Sequence, residues 1–126
     1  MSLGAFSVSL AVADLARARA FYETLGFVPV DGAGGEGWQV MRCGPATIGL
    51  FQGMFEDNIL TFNPGWVDET TGDAGFEDIR RIQARLEAAG LTLDTRADPE
   101  GTGPAHVILK DPDGNTIMLD QHVPAP

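Results

Sequence analysis

Residues 12–27 read VADLARARAFYETLGF, and the fold turns on this stretch. Upstream of it, Phe6-Ser7-Val8-Ser9-Leu10-Ala11-Val12 alternates with period two. Val8, Leu10 and Val12 share one face, and Ser7, Ser9 and Ala11 share the other, as in a half-buried strand. Asp14 then stands where a helix N-cap belongs. Ala18, Phe21, Tyr22 and Leu25 follow at i, i+3, i+4 and i+7, the apolar stripe of a helix, which predicts Phe21 and Tyr22 as core residues. Gly26 supplies the left-handed residue that ends such a helix.

Working outward, Phe27 to Val30 reads as a short strand, and the glycine-rich run from Gly32 to Gly37 as a flexible connection. Trp38–Cys43 and Thr47–Gln52 read as two strands joined at Gly44-Pro45. Ile59 to Phe62 is a strand that Asn63-Pro64-Gly65 must break. A long connector, Trp66 to Gly75, leads to a second helix with Ile79, Ile82, Leu86 and Ala89 as its stripe. Long inserted loops often carry function, so this connector is a candidate lid. Leu91 to Arg96 is an expected strand. His106–Lys110 and Thr116–Asp120 pair across Asp111-Pro112-Asp113-Gly114, a type I turn.

The two halves repeat. Asp14 to Gly26 and Asp78 to Gly90 are related by a shift of 64 (78 − 14 = 90 − 26 = 64), and the same shift sets Leu15 on Ile79, Ala18 on Ile82 and Tyr22 on Leu86. Strand, helix, then three strands recur in that order. A module of this kind cannot cover its own sheet alone, so the expectation is one α+β domain over 1–126 made of two βαβββ modules packed together, about 5–53 and 57–122. Met1-Ser2-Leu3 is left outside this reading.

Composition narrows the function. The chain has 126 residues and a formal charge of −10, from 18 acids and 8 bases. A nucleic-acid surface is basic, and this balance excludes one as an expectation. No apolar run reaches the roughly 18 residues of a membrane span. The expected setting is the cytoplasm: no basic-then-apolar leader is visible, and Cys43, the one cysteine, cannot form an internal disulfide.

Two motifs carry a resemblance. Val12-Ala13-Asp14-Leu15 through Phe21-Tyr22 to Leu25-Gly26-Phe27 resembles the opening pattern of the glyoxalase/bleomycin-resistance/extradiol-dioxygenase (vicinal oxygen chelate) superfamily. Asp111-Pro112-Asp113-Gly114-Asn115 with Ile117 and Leu119 resembles its closing pattern. The resemblance implies that the two modules form a curved, cleft-lining mixed sheet. In the glyoxalase I branch the resemblance implies a divalent metal held by four His or Glu ligands from four strands. Carried over one position at a time, the first ligand falls on Ser7 and the second on Gly49, between Ile48 and Leu50. The third falls on Asn58 or Ile59, and the fourth on Met118, between Ile117 and Leu119. A hydroxyl, a hydrogen and a thioether do not suit nickel, zinc or iron. The expectation is therefore no metal and no cofactor.

Alternation puts Ser7, Ser9, Thr47, Gly49, Phe51, Thr116, Met118 and Asp120 on the cleft side, with Trp38 and Trp66 as aromatic walls. The expected ligand-binding residues are Ser7, Ser9, Trp38, Thr47, Gly49, Phe51, Trp66 and Met118. His106 and Asp120 are the candidate acid or base groups. His122 is expected to be peripheral, and Glu56, Asp57, Asp68, Glu69 and Asp73 to be solvated loop charges. Three functions compete: a metal-free, sequestration-type protein binding a small molecule, as in the drug-binding members of the family; a lyase or isomerase related to lactoylglutathione lyase, using a cleft acid or base; and an enzyme with a displaced metal site at His106 and loop carboxylates. A homodimer is expected, because the family's clefts are commonly completed by a second subunit.

Overall fold

The structure is a computed structural model, and it describes residues 2–68 and 70–126. Glu69, one of the expected solvated charges, lies outside the described residues. The chain divides into two compact units. One is Ser7–Ile59. The other is Leu60–Pro126 with the N-terminal residues up to Phe6.

The unit Ser7–Ile59 is built as strand, helix and three strands. These are β1 (Ala5–Val12, entering from its first two residues), α1 (Leu15–Leu25), β2 (Val28–Gly35), β3 (Trp38–Cys43) and β4 (Ala46–Gln52). The strands run in the order β2-β3-β4-β1. β1 is parallel to β4, whereas β2/β3 and β3/β4 are antiparallel, so the sheet is mixed. Asp14 caps α1 by accepting the Arg17 N–H at 3.1 Å. Gly26, at φ 108°, ends it. Leu50 and Met41 are fully buried on one side of the sheet.

Two expectations change here. The α1 stripe is narrower than its sequence suggests: Ala18 and Tyr22 are half-buried, but Phe21 is 62% and Leu25 59% exposed. Phe21 stands about 100° around the helix from Tyr22, which takes the inward position and packs edge-on against Phe27. The glycine-rich run is not a free connection either. β2 continues through it to Gly35, with an irregular register between Pro29 and Gly34. The Gln39 side-chain amide donates to the carbonyls of Val30 and Ala33 across that irregularity, supplying partners the ladder lacks.

The second unit contains β5 (Ile59–Asn63), the hairpin β6 (Trp66–Asp68) and β7 (Thr71–Gly72), α2 (Ile79–Ala88), β8 (Ala105–Lys110) and β9 (Thr116–Gln121). β5, β9 and β8 are neighbours in that order. Ile79, Ile82, Ala97, Val107, Leu109 and Leu119 form its buried core. Gly65, at φ 96°, makes the turn into the hairpin, so part of the expected loop Trp66–Gly75 is paired. The expected strand Leu91–Arg96 reduces to a single bridge between Thr95 and Ile108. Beyond it, the buried Gln83 side chain satisfies both the N–H and the C=O of Ala97, the work a neighbouring strand would have done.

Candidate functional site

Register fixes which side chains share a face. In the unit Ser7–Ile59, Ser9 lies opposite Gly49 and Ala11 opposite Phe51. Trp38 lies opposite Phe51, Val40 opposite Gly49, and Arg42 opposite Thr47. Directly paired residues point the same way, so Ser9, Thr47, Gly49, Phe51 and Trp38 are on one face, and Ser7 joins them by alternation. Val8, Leu10, Ile48 and Leu50 take the opposite face. The sequence assignment of faces holds on these strands.

The surface of that face differs from the expectation. Gly49 is buried rather than an open floor. A Cβ there would come within 2.5 Å of Phe51 Cε2, so the Phe51 ring lies over the glycine. Gly35 plays the same part for Trp38: a Cβ would come within 2.7 Å of the indole Nε1. The Trp38 and Phe51 rings are parallel to within 3°, with centroids 6.1 Å apart, and Phe55 stands beside Phe51 at 5.4 Å and 47°. Two glycines thus let two aromatic rings lean over them as a shelf of parallel rings, with a third ring tilted beside Phe51. Ser9 is 7% exposed, whereas Ser7 and Thr47 are half-buried. The glycine of β2 that makes room for Trp38 was hidden in sequence by the flexible reading of its run.

A shallow depression of about 570 Å³ lies elsewhere in this unit, lined by Asp14, Leu15, Ala16, Arg19, Glu23 and Gln52. Its polar groups are engaged locally: Asp14 caps α1, Gln52 Oε1 accepts the Leu15 N–H at 2.7 Å, and Arg19 faces Glu23. None of its residues was a sequence candidate.

The remaining candidates belong to the second unit. Ile108 lies opposite Met118, and His106 opposite Asp120. Leu119 is in the core, so Met118 and Asp120 face away from it, as alternation predicts. His106 is exposed. Asp120 is engaged by His122 rather than by His106: Asp120 Oδ2 is 3.0 Å from His122 Nε2. The His122 ring also lies on Trp66, with centroids 4.6 Å apart and planes within 6°. The bond to Asp120 raises the His122 pKa above the usual imidazole value, against the opposing effect of burial. His122 is therefore no peripheral residue. The sequence signal for it was its place two residues after Asp120, just past the end of β9.

The positions implied for a metal do not fit one. Gly49 has no donor and is covered by Phe51; Asn58 Oδ1 already accepts the Ala11 N–H at 3.0 Å; Ile59 is buried; Met118 offers a thioether and Ser7 a neutral hydroxyl. Among the described residues, no group of three or more His, Cys, Asp or Glu is placed to hold a metal ion.

The model of the Glyoxalase/Bleomycin resistance protein/Dioxygenase superfamily matches residues 4–119. The chain belongs to this superfamily. Solved structures agree on the α+β fold of the glyoxalase/bleomycin-resistance type. A glyoxalase/bleomycin resistance protein/dioxygenase superfamily member from Vibrio splendidus 12B01 is 15% identical, with a TM-score of 0.60 and coverage of 92% of this chain and 97% of that one. Methylmalonyl-CoA epimerase from Mycobacterium tuberculosis is 18% identical, with a TM-score of 0.62 and coverage of 98% and 92%. A catechol 2,3-dioxygenase is 18% identical with a TM-score of 0.58; the match covers 98% of this chain and 43% of the dioxygenase. A search of curated proteins finds no match. Membership of the glyoxalase superfamily fixes the fold, and the varied names of these neighbours show that it does not fix a reaction. No helix among the described residues is long and apolar enough to cross a membrane.

Proposed function

We propose that this chain is a metal-free, sequestration-type binding protein that takes up a small molecule with a flat apolar or aromatic part. The observation that carries this reading is the Trp38–Phe51 pair, parallel within 3° over Gly35 and Gly49. Aromatic rings held flat by packing supply contact area with little ordering cost, and a few hydroxyls beside them orient a ligand. Ser7, Ser9 and Thr47 are those hydroxyls. Ser7, Gly49 and Met118 stand where the superfamily's metal ligands would be, which supports loss of the usual metal site. Trp66 and Met118 are proposed as ligand contacts on the second unit's own face. The protein is proposed to work in the cytoplasm as a homodimer. Phe21, Leu25 and Val28, all about 60% exposed around the end of α1, support a partner surface.

Native mass spectrometry of protein purified without added metal tests the reading. The expected result is a retained organic molecule in the wild type and none in Trp38→Ala. A bare polypeptide mass in both would contradict it.

The acid–base reading, a lyase or isomerase, is favoured by one observation: Asp120, near the end of β9, is paired with a partly exposed histidine, His122, just beyond that strand.

A further inference from the structure

The chain has two histidines, and both neighbour Asp120; among the described residues, His122 is the one engaged by it. Two contacts and its exposure define the His122 imidazole. Nε2 is tied to Asp120 Oδ2, one ring face is covered by the Trp66 indole, and the side chain is still 47% exposed. With Nε2–H donated to the carboxylate, the neutral ring presents its lone pair at Nδ1. The geometry points to His122 Nδ1 as a proton-accepting site for a small aromatic hydroxyl compound, a phenol, with Asp120 as the positioning residue and Trp66 as the wall. This inference rests on the acid–base reading but moves the working group from His106 to His122.

The step balances without any co-reactant. The O–H bond of the phenol breaks, its electron pair stays on oxygen, and the proton forms the Nδ1–H bond of an imidazolium whose charge Asp120 offsets. Return of the proton regenerates both partners. The class of compound follows from the surroundings: the indole of Trp66 is aromatic, and Met118 and Ile108 make the adjoining strand face apolar. Among the described residues, Asp120 is the charged group that acts on this imidazole; His106 lies opposite Asp120 on β8, and Asp68 lies two residues along β6 from Trp66. A carboxylate partner stabilises the charged ring, so His122 is a stronger base than a free imidazole.

The probe is 4-nitrophenol, whose phenolate is coloured and whose acidity is close to that of imidazole. Added at a pH just below the probe's own pKa, the folded protein should raise the phenolate absorbance saturably. His122→Gln should abolish the rise, Asp120→Asn should cut it severalfold, and Trp66→Ala should weaken it. His106→Gln should leave it unchanged. No saturable rise, or an equal rise in His122→Gln, overturns the inference. Loss with His106→Gln but not His122→Gln overturns it while leaving the acid–base reading standing.

Discussion

The Ile79 N–H donates to Gln121 Oε1 at 2.8 Å, so the last residue of β9 holds the first residue of α2. In the unit Ser7–Ile59 the Leu15 N–H donates to Gln52 Oε1 in the same manner, from the start of α1 to the end of β4. The two bonds differ in surroundings. Gln121 is 1% exposed and also donates to Asp78 and to the Val123 carbonyl, whereas Gln52 is exposed. Gln121→Leu should therefore lower unfolding stability by roughly 1–3 kcal/mol, the cost of a buried N–H left unpaired. Gln52→Leu should cost less than ~1 kcal/mol, because water can replace the lost acceptor. Urea denaturation of the two variants checks the contrast.

Asp78 gives the fold a pH dependence with a definite sign. Burial works to raise its carboxyl, but the bonds from Gln121 and Arg80 outweigh that and hold it below the usual 3.8. A depressed carboxyl stabilises the fold above its unfolded value and loses that contribution as pH falls through the folded one. Asp78→Asn should be less stable than the wild type at neutral pH, and the gap should close progressively below about pH 3.8. Urea midpoints across that range decide it; a gap that stays constant would contradict the assignment.

Much of this architecture was legible in the sequence. The shift of 64 is borne out in backbone hydrogen bonds: Gly26 N–H to Glu23 and Phe27 N–H to Tyr22 correspond to Gly90 N–H to Glu87 and Leu91 N–H to Leu86. Face assignment followed from period two and held for Ser9, Gly49, Phe51, Met118 and Asp120. What escaped was tertiary. Nothing local says that Gln83 will replace a strand beside Ala97, or that Gly35 belongs to a strand because Trp38 lies across it. The His122–Trp66 contact joins residues 56 positions apart (122 − 66), so no spacing rule announces it.

The glycines under the aromatic shelf are specific requirements. Gly49→Ala places a methyl within 2.5 Å of the Phe51 ring, which must then tilt away from the sheet. The variant should stay folded, shift its tryptophan fluorescence through the neighbouring Trp38, and bind the retained small molecule more weakly than the wild type. An unchanged spectrum and unchanged binding would show that the shelf does not depend on Gly49.

The exposed apolar residues around α1 should be covered in solution. Light scattering across micromolar concentrations is expected to give twice the chain mass, and Phe21→Asp should shift it toward the monomer without unfolding the chain. Phe21 is 62% exposed and packs edge-on against the neighbouring Tyr22, so the substitution removes no buried core residue. A wild-type mass of one chain throughout would remove the dimer.

Native mass spectrometry combined with elemental analysis, on protein purified without added metal, tests the central claim most directly. The account predicts a small organic molecule that survives dialysis, is released on denaturation and is absent from Trp38→Ala, with no stoichiometric transition metal. About one nickel, zinc, manganese or iron per chain surviving dialysis, with no organic ligand, would contradict it.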